Sequence, residues 1–251
     1  MSHAVLIPSK GRPEALTAMF KRIPELNAPS TYVGLEPTQE AMYREWYHIY
    51  GDKCTLVPVV NPGGYPGNAR EALRKAAVNH KYAFYFSTDD NAVFSRGSYE
   101  SLIWAANKQQ CLMSGLGQPA LWHRDAITAG ERFEKDGKPI TIFRSYSTVH
   151  WCIPHKLYAD FQYPQDCFND DVYLALWVIL RKGYTNFRTC LEAKYSKKRF
   201  MPGGNGGAAE RLYKMGMGMA MLARDFPEVA DPSWMSTHFR WNSIIKESKE
   251  L

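Results

Sequence analysis

The chain has 251 residues, 45% of them hydrophobic and 22% charged, with a net charge of +6, and it is long enough to bury a substantial core as a single domain. No apolar run approaches the length that spans a membrane, and the opening Met-Ser-His-Ala-Val-Leu-Ile-Pro lacks the pattern of a secretory signal, so cytoplasmic residence is expected. Five cysteines, odd in number and widely separated, lack the paired spacing of a zinc site and read as reduced structural thiols.

Taken in order, the elements alternate. Ala4 to Ile7 reads as a short strand closed by Pro8-Ser9-Lys10-Gly11-Arg12-Pro13, and Glu14 to Arg22 reads as a helix begun by proline. Thr31 to Leu35 is a second strand, Thr38 to Tyr50 helical, and Thr55 to Val60 a third strand. The glycines and prolines from Asn61 to Gly67 predict a loop. Asn68 to His80 carries Ala69, Leu73 and Ala76/Ala77 on one face and reads as a helix. The fourth strand, Phe84-Tyr85-Phe86-Ser87, runs straight into Thr88-Asp89-Asp90-Asn91.

Strand and helix alternating four times in ninety residues predict a doubly wound α/β sheet whose ligand lies across the strand ends. The loops at Ser9 to Arg12, Asn61 to Asn68 and Asp89 to Asn91 then converge. Asp89-Asp90-Asn91 admits two roles. Adjacent carboxylates repel one another, which suits a bound cation; Asp and Asn also form turns after strands.

Downstream, Ser98 to Lys108 is helical, while Ile140 to Val149 and His150 to Pro154 read as strands. Asn169 to Lys182 is a well-marked helix, capped by Asn169 and ended by Gly183. Its apolar stripe, Val172, Ala175, Leu176, Ile179 and Leu180, leaves Asp170 opposite the core and Asp171 at its margin. Acids in a first helical turn are favoured by the helix dipole whatever their function. The same dipole keeps a carboxylate ionised, the form a general base requires.

Between Arg181 and Lys214 nine Lys/Arg face only Glu192 and Glu210, a pattern that suits phosphate contacts or a solvated basic face. Within it, Gly203-Gly204-Asn205-Gly206-Gly207 suits close approach to a phosphate, a lid, or a plain flexible loop. A Met-rich helix from Ala208 to Arg224 follows, its methionines read as packing. An aromatic share of 14% predicts stacking surfaces for rings or sugars.

In this order the motifs resemble the GT-A nucleotide-sugar glycosyltransferases, over about residues 4 to 207. Ile7-Pro8-Ser9-Lys10-Gly11-Arg12, Asn68-Ala69-Arg70, Asp89-Asp90-Asn91 in place of the family's D-x-D and Asn169-Asp170-Asp171 in place of its x-E-D carry the resemblance. It implies a GT-A-like, Rossmann-related open mixed sheet flanked by helices in one domain, with a nucleotide-sugar half (1–112), an acceptor and catalytic half (113–215) and a C-terminal helical extension (216–251). It further implies that Pro8, Ser9, Lys10, Arg12, Asn68, Arg70, Asp89, Asp90, Gly203 and Gly204 contact a UDP-sugar. Asp90, Asn91 and His238 would hold Mn2+ or Mg2+, and Asp171 with Asp170 would supply the base. Asn91 and Asp170 depart from the family's usual Asp and Glu, and the first weakens the expected metal affinity.

More narrowly, Ile-Pro-Ser-Lys-Gly-Arg, Ser-Thr-Asp-Asp-Asn and Gly-Gly-Asn-Gly-Gly are similar to motifs of the phage TET-associated glycosyltransferases, which modify 5-hydroxymethylpyrimidines in DNA. That resemblance implies a DNA acceptor, with Lys197, Lys198 and Arg199 in its groove and aromatics such as Trp151 beside an extruded base. It also implies residence in the host cytoplasm and no membrane partner. A nucleotidyltransferase on a related sheet and a non-catalytic DNA-binding protein are the alternatives.

Overall fold

A computed structural model describes residues 2–61, 63–94, 96–115, 131–135, 138–144, 150–189, 193–195 and 207–228. The first half alternates as expected: β1 (His3–Ser9), α1 (Pro13–Arg22), β2 (Thr31–Leu35), a 3-10 stretch (Pro37–Tyr43) leading into α2 (Arg44–Tyr50), β3 (Thr55–Pro58), α3 (Pro66–Val78) and β4 (Phe84–Ser87). These four strands are parallel and lie in the order β3-β2-β1-β4. The order reverses between β1 and β4, and the carboxyl ends at such a reversal form a crevice for ligand.

The sheet continues with strands of mixed direction. After β5 (Ala92–Phe94) and α4 (Arg96–Gln109) come β6 (Met113–Gly115), β7 (Glu131–Lys135), β8 (Lys138–Arg144), β9 (Trp151–Pro154), the short α5 (His155–Tyr158), α6 (Asp170–Leu176), β10 (Phe187–Thr189), β11 (Ala193–Tyr195) and α7 (Ala208–Asp225). Among the described residues the main sheet has nine strands, β3-β2-β1-β4-β9-β6-β10-β8-β7, with β9 antiparallel to both β4 and β6; β5 and β11 form a separate pair. Residues 145–149, predicted as strand, lie outside the described residues.

Both faces of the sheet are covered, so its central strands are apolar throughout rather than alternating. In β1, Ala4 and Leu6 face one core with Leu73 and Ala77 of α3, Leu174 of α6 and Leu222 of α7. Val5 and Ile7 face the other, with Phe20 of α1, Trp46 and Tyr50 of α2 and Leu102 of α4. Among the described residues most of the large aromatics go into these cores: Phe20, Trp46, Tyr85, Trp151, Tyr158 and Phe161 are all fully buried. The expected stacking surfaces are therefore largely core packing, where edge-to-face pairs such as Phe20–Trp46 and Phe161–Tyr163 form.

Three local predictions change. Helix α3 begins at Pro66, inside the expected loop, because proline is preset for a first helical position. Gly67 is required there by close approach: its N–H bonds Cys167 O at 2.9 Å, and a Cβ would stand 2.6 Å from Cys167 Cβ. The expected helix from Asn169 to Lys182 is α-helical only to Leu176 and widens over Trp177–Arg181 into a π-helical turn. Asn186, fully buried, donates its amide to the Ala175 carbonyl at 2.9 Å. Gly183, at φ +74°, ends the element as predicted. Asn169 accepts a backbone bond from Tyr173 but makes no side-chain cap.

Cys111, Cys152 and Cys167 are buried and Cys54 is partly buried. Helix α7 runs unbroken across residues 215 and 216. Among the described residues no helix is long and apolar enough to cross a membrane.

Candidate active site

At the end of β1, Ser9 donates to Asp90 Oδ2 at 2.7 Å, and Tyr43 lies 2.7 Å from Ser9 Oγ. Because the single Ser9 proton goes to the carboxylate, the Tyr43 hydroxyl donates to Ser9 and accepts from the Arg12 N–H at 3.0 Å. Arg12 Nη2 stands 2.7 Å from Asp90 Oδ1, a contact of charge with charge rather than an aligned hydrogen bond. Asp90 is thus 0% exposed, with both oxygens facing protein. Burial pushes its carboxyl up to about 6, against the opposing pull of Arg12. Asp90, expected as a metal ligand, is held by Ser9 and Arg12 and so anchors the loop after β1.

Arg70, near the start of α3, is only 3% exposed and spends its guanidinium on three groups. Its Nη2 donates to Asp89 Oδ1 at 2.8 Å, its Nη1 to Ser87 Oγ and its Nε to Asp170 Oδ2. Burial pulls this guanidinium down, but Asp170 and Asp89 outweigh it and raise it above its ordinary value. Arg70 is therefore not free for a nucleotide. It is the bolt between the end of β4 and the start of α6.

Asp170 was expected opposite the core and is instead buried on Arg70. The apolar stripe does not fix the first residue of a helix, whose side chain follows the partner that awaits it. Burial raises the Asp170 carboxyl, while Arg70 pulls it back. Asp171, half-buried, accepts from the Val172 N–H at 2.9 Å. Its carboxyl is pushed up to about 7, first by burial and then by the charge of Asp170. The expected effect of the helix dipole is overridden.

The remaining predicted residues divide. Pro8 lies in β1 opposite Gly34 of β2. Lys10 pairs with Glu36 at 2.7 Å, directly after β2. Asn68 is spent within the protein: its amide donates to Asp166 Oδ1 and its oxygen accepts from the Asp166 N–H, each at 2.8 Å. The side chain of Asp89 is 28% exposed, and Asn91 Oδ1 is buried with no hydrogen-bond partner among the described residues. Trp151 is fully buried in β9, beside Ser87 of β4, so it has no face to offer an acceptor. Lys197, Lys198, Arg199, Gly203, Gly204 and His238 lie outside the described residues. Within the basic segment, Arg181 pairs with Glu228, Lys182 with Asp160 and Lys214 with Glu210, so these three cations are already compensated.

Sequence reasoning missed His150. It sits at φ +65° just before β9, and shares a 2.8 Å hydrogen bond between its Nδ1 and Thr88 Oγ1. Burial pulls its imidazole down to about 4, so it is neutral beneath the acidic turn. Only its place between two apolar strand residues could have marked it, and that signal is weak.

Among the described residues no three His, Cys, Asp or Glu are grouped to hold a metal ion. Asp89 and Asn91, two residues apart in the same turn, nevertheless carry hard oxygen donors, the Asn91 oxygen having no hydrogen-bond partner among the described residues, a donor set that suits an ion whose other ligands come from nucleotide phosphates.

No family model and no curated protein matches the chain. Among solved structures, the fold is similar to that of TarS 1–349 from S. aureus in complex with UDP-GlcNAc, at 13% identity and a TM-score of 0.56, over 89% of this chain and 67% of that one. It is also similar to the mannosyltransferase PcManGT from Pyrobaculum calidifontis in complex with GDP-Man and Mn2+, at 16% identity and a TM-score of 0.58, over 98% of this chain and 68% of that one. The chain spans about two thirds of the length of each. Its architecture is accordingly a GT-A-like α/β fold.

Proposed function

We propose that this chain is a nucleotide-sugar glycosyltransferase. The observation that carries the reading is the pairing of its two acidic motifs: Arg70 binds Asp89 and Asp170 together at the strand-end crevice, leaving Asp171 beside them with a carboxyl near 7. A base with that affinity is matched to removing a proton from a hydroxyl at neutral pH. The neighbours named above carry UDP-GlcNAc or GDP-Man on the same fold, which supports a nucleotide-sugar donor.

In the proposed reaction Asp171 accepts the acceptor's hydroxyl proton as that oxygen forms its bond to the anomeric carbon. The bond from that carbon to the diphosphate oxygen breaks, and its electron pair leaves with the nucleoside diphosphate. Lys10 and Arg12, at the mouth of the crevice, offset the leaving group's charge. A divalent cation, with Asp89 and Asn91 as the residues to hold it, would supply further charge neutralisation. Asp170 and Arg70 keep Asp171 in place and do not transfer protons.

The finer form of the reading takes a UDP-sugar as donor, Mn2+ or Mg2+ as the ion and 5-hydroxymethylpyrimidine in DNA as acceptor, with inversion at the sugar. Its support is the sequence resemblance of Ile-Pro-Ser-Lys-Gly-Arg, Ser-Thr-Asp-Asp-Asn and the glycine run. Chromatography of reactions with nucleotide sugars and hydroxymethylated DNA tests it. Release of UDP with a mass gain on the DNA is expected. UDP release with another acceptor only would remove the DNA assignment, and pyrophosphate release from a nucleoside triphosphate would remove the glycosyltransferase reading.

A further inference from the structure

Lys10 and Lys214 stand 204 positions apart in sequence and meet at Gly64. A Cβ at position 64 would lie 3.3 Å from Lys10 Nζ and 3.6 Å from Lys214 Nζ, so the two ammonium groups lie within about 7 Å of each other, a mutual repulsion that one carboxylate partner on each offsets. Gly64 holds φ +64°, a conformation that glycine adopts without cost. The turn thus gives both lysines close access to bare backbone.

Helix α7 contributes Lys214 from its second turn, and the residue is only 5% exposed. Its ammonium stands 5.3 Å from the centre of the Tyr65 ring and 2.5 Å from Glu210, whose side chain is 54% exposed. With its carboxylate side exposed, this pair one helical turn apart is screened by solvent, too weak to explain burying an ammonium against a second one. Hydrogen bonding and charge from Lys214, and further the charge of Lys10, hold the Glu210 carboxyl below its ordinary range. Glu210 is therefore the solvent-side counterion of the pair, free to swing outward when another anion arrives. Glu36, largely buried, is the partner of Lys10 just after the end of β2.

Lys10 follows β1 and Gly64 follows β3, so the cluster lies at the carboxyl ends of the parallel strands, the edge where such sheets take their ligands. We infer that Lys10 and Lys214 form a two-ammonium clamp for the phosphate groups of a nucleotide, with Glu210 displaced on binding and α7 supplying a donor-binding residue from the far end of the chain. This inference rests on the glycosyltransferase reading for the identity of the nucleotide, but not for the anion chemistry.

Titration calorimetry of the full chain and its Lys214→Met and Lys214→Arg variants tests the clamp, with UDP, uridine and inorganic pyrophosphate as probes. Lys214→Met should weaken UDP and pyrophosphate about tenfold to a hundredfold, the effect of losing one charged contact. Uridine should be unaffected, and Lys214→Arg should restore most of the UDP affinity. Unchanged UDP binding by Lys214→Met, or an equal loss for uridine, would overturn the clamp. A thermal melt separates misfolding: if Lys214→Met melts far below the parent, Lys214→Arg and Lys10→Met decide, and wild-type UDP affinity in Lys10→Met overturns it. Pyrophosphate binding that depends on Lys214, together with no binding of any nucleotide sugar, would keep the clamp and sink the glycosyltransferase reading. Absence of binding for all three probes would sink both.

Discussion

The two aspartate pairs, Asp89–Asp90 after β4 and Asp170–Asp171 at the start of α6, solve the same electrostatic problem in the same way. In each, one acid turns inward onto an arginine, Asp90 onto Arg12 and Asp170 onto Arg70, while its neighbour keeps access to solvent. They differ in what the accessible acid experiences. Asp89 shares Arg70 with Asp170, whereas Asp171 pairs with no arginine among the described residues and is pushed up to about 7 by burial and the charge of Asp170. On the proposed reading, two acids of identical chemistry are thereby divided between a cation and a proton.

The most damaging way to break this arrangement is Arg70→Met. It leaves Asp89 and Asp170 facing one another without their cation, and breaking a buried ion pair costs about 3–5 kcal/mol. The melting temperature should fall steeply, with loss of all activity; Arg70→Lys should rescue little, because one ammonium cannot serve three partners. A melt close to that of the parent would show that the bolt is dispensable.

Asp171→Asn separates the two accessible acids by function. Transfer should fall about a hundredfold to ten-thousandfold with donor affinity retained. The melt gives an independent reading. Because folding raises the Asp171 affinity for protons, its stabilising contribution is complete below about pH 4 and is lost as pH rises through about 7. Asp171→Asn should therefore melt above the parent at pH 8 but not at pH 4, and the opposite order would contradict the raised carboxyl.

The first pair is sharpened by comparing Asp89→Asn with Asp90→Asn. Asp89→Asn should weaken Mn2+-dependent nucleotide binding about tenfold, the loss of one charged ligand. Asp90→Asn should leave the Mn2+ dependence unchanged and lower stability by about 1 kcal/mol through its bonds to Ser9 and Arg12. Equal effects of the two on the metal titration would return Asp90 to the crevice. Smallest of all, Asn91→Asp should tighten Mn2+ severalfold by adding a charged oxygen, as read by the Mn2+ concentration giving half-maximal nucleotide binding.

Much of the fold was legible because hydrophobic periodicity is local. The four parallel strands, α3, α6 and α7 all follow from runs such as Ala4 to Ile7 and Phe84 to Ser87, which are buried on both faces and bounded by Gly, Pro or Asp. The site was legible in its residue types but not in their directions. Arg70 looked like a nucleotide contact because nothing within α3 shows that Asp170, 100 residues away, will claim it. Asp90 looked like a ligand because the Ser9, Arg12 and Tyr43 network that draws it inward is assembled from three separate elements. Trp151 has the composition of a stacking platform, and only its pairing in β9 beneath Ser87 makes it core.

The central claim is that the crevice between β1 and β4 receives a nucleotide sugar and that Asp171 acts on the acceptor rather than on the donor. Calorimetric titration of the parent and Asp171→Asn with a panel of UDP- and GDP-sugars, with and without Mn2+, tests it most directly. At least one sugar nucleotide should bind both proteins with similar affinity, more tightly when Mn2+ is present. Silence of the folded parent across the whole panel would contradict the account.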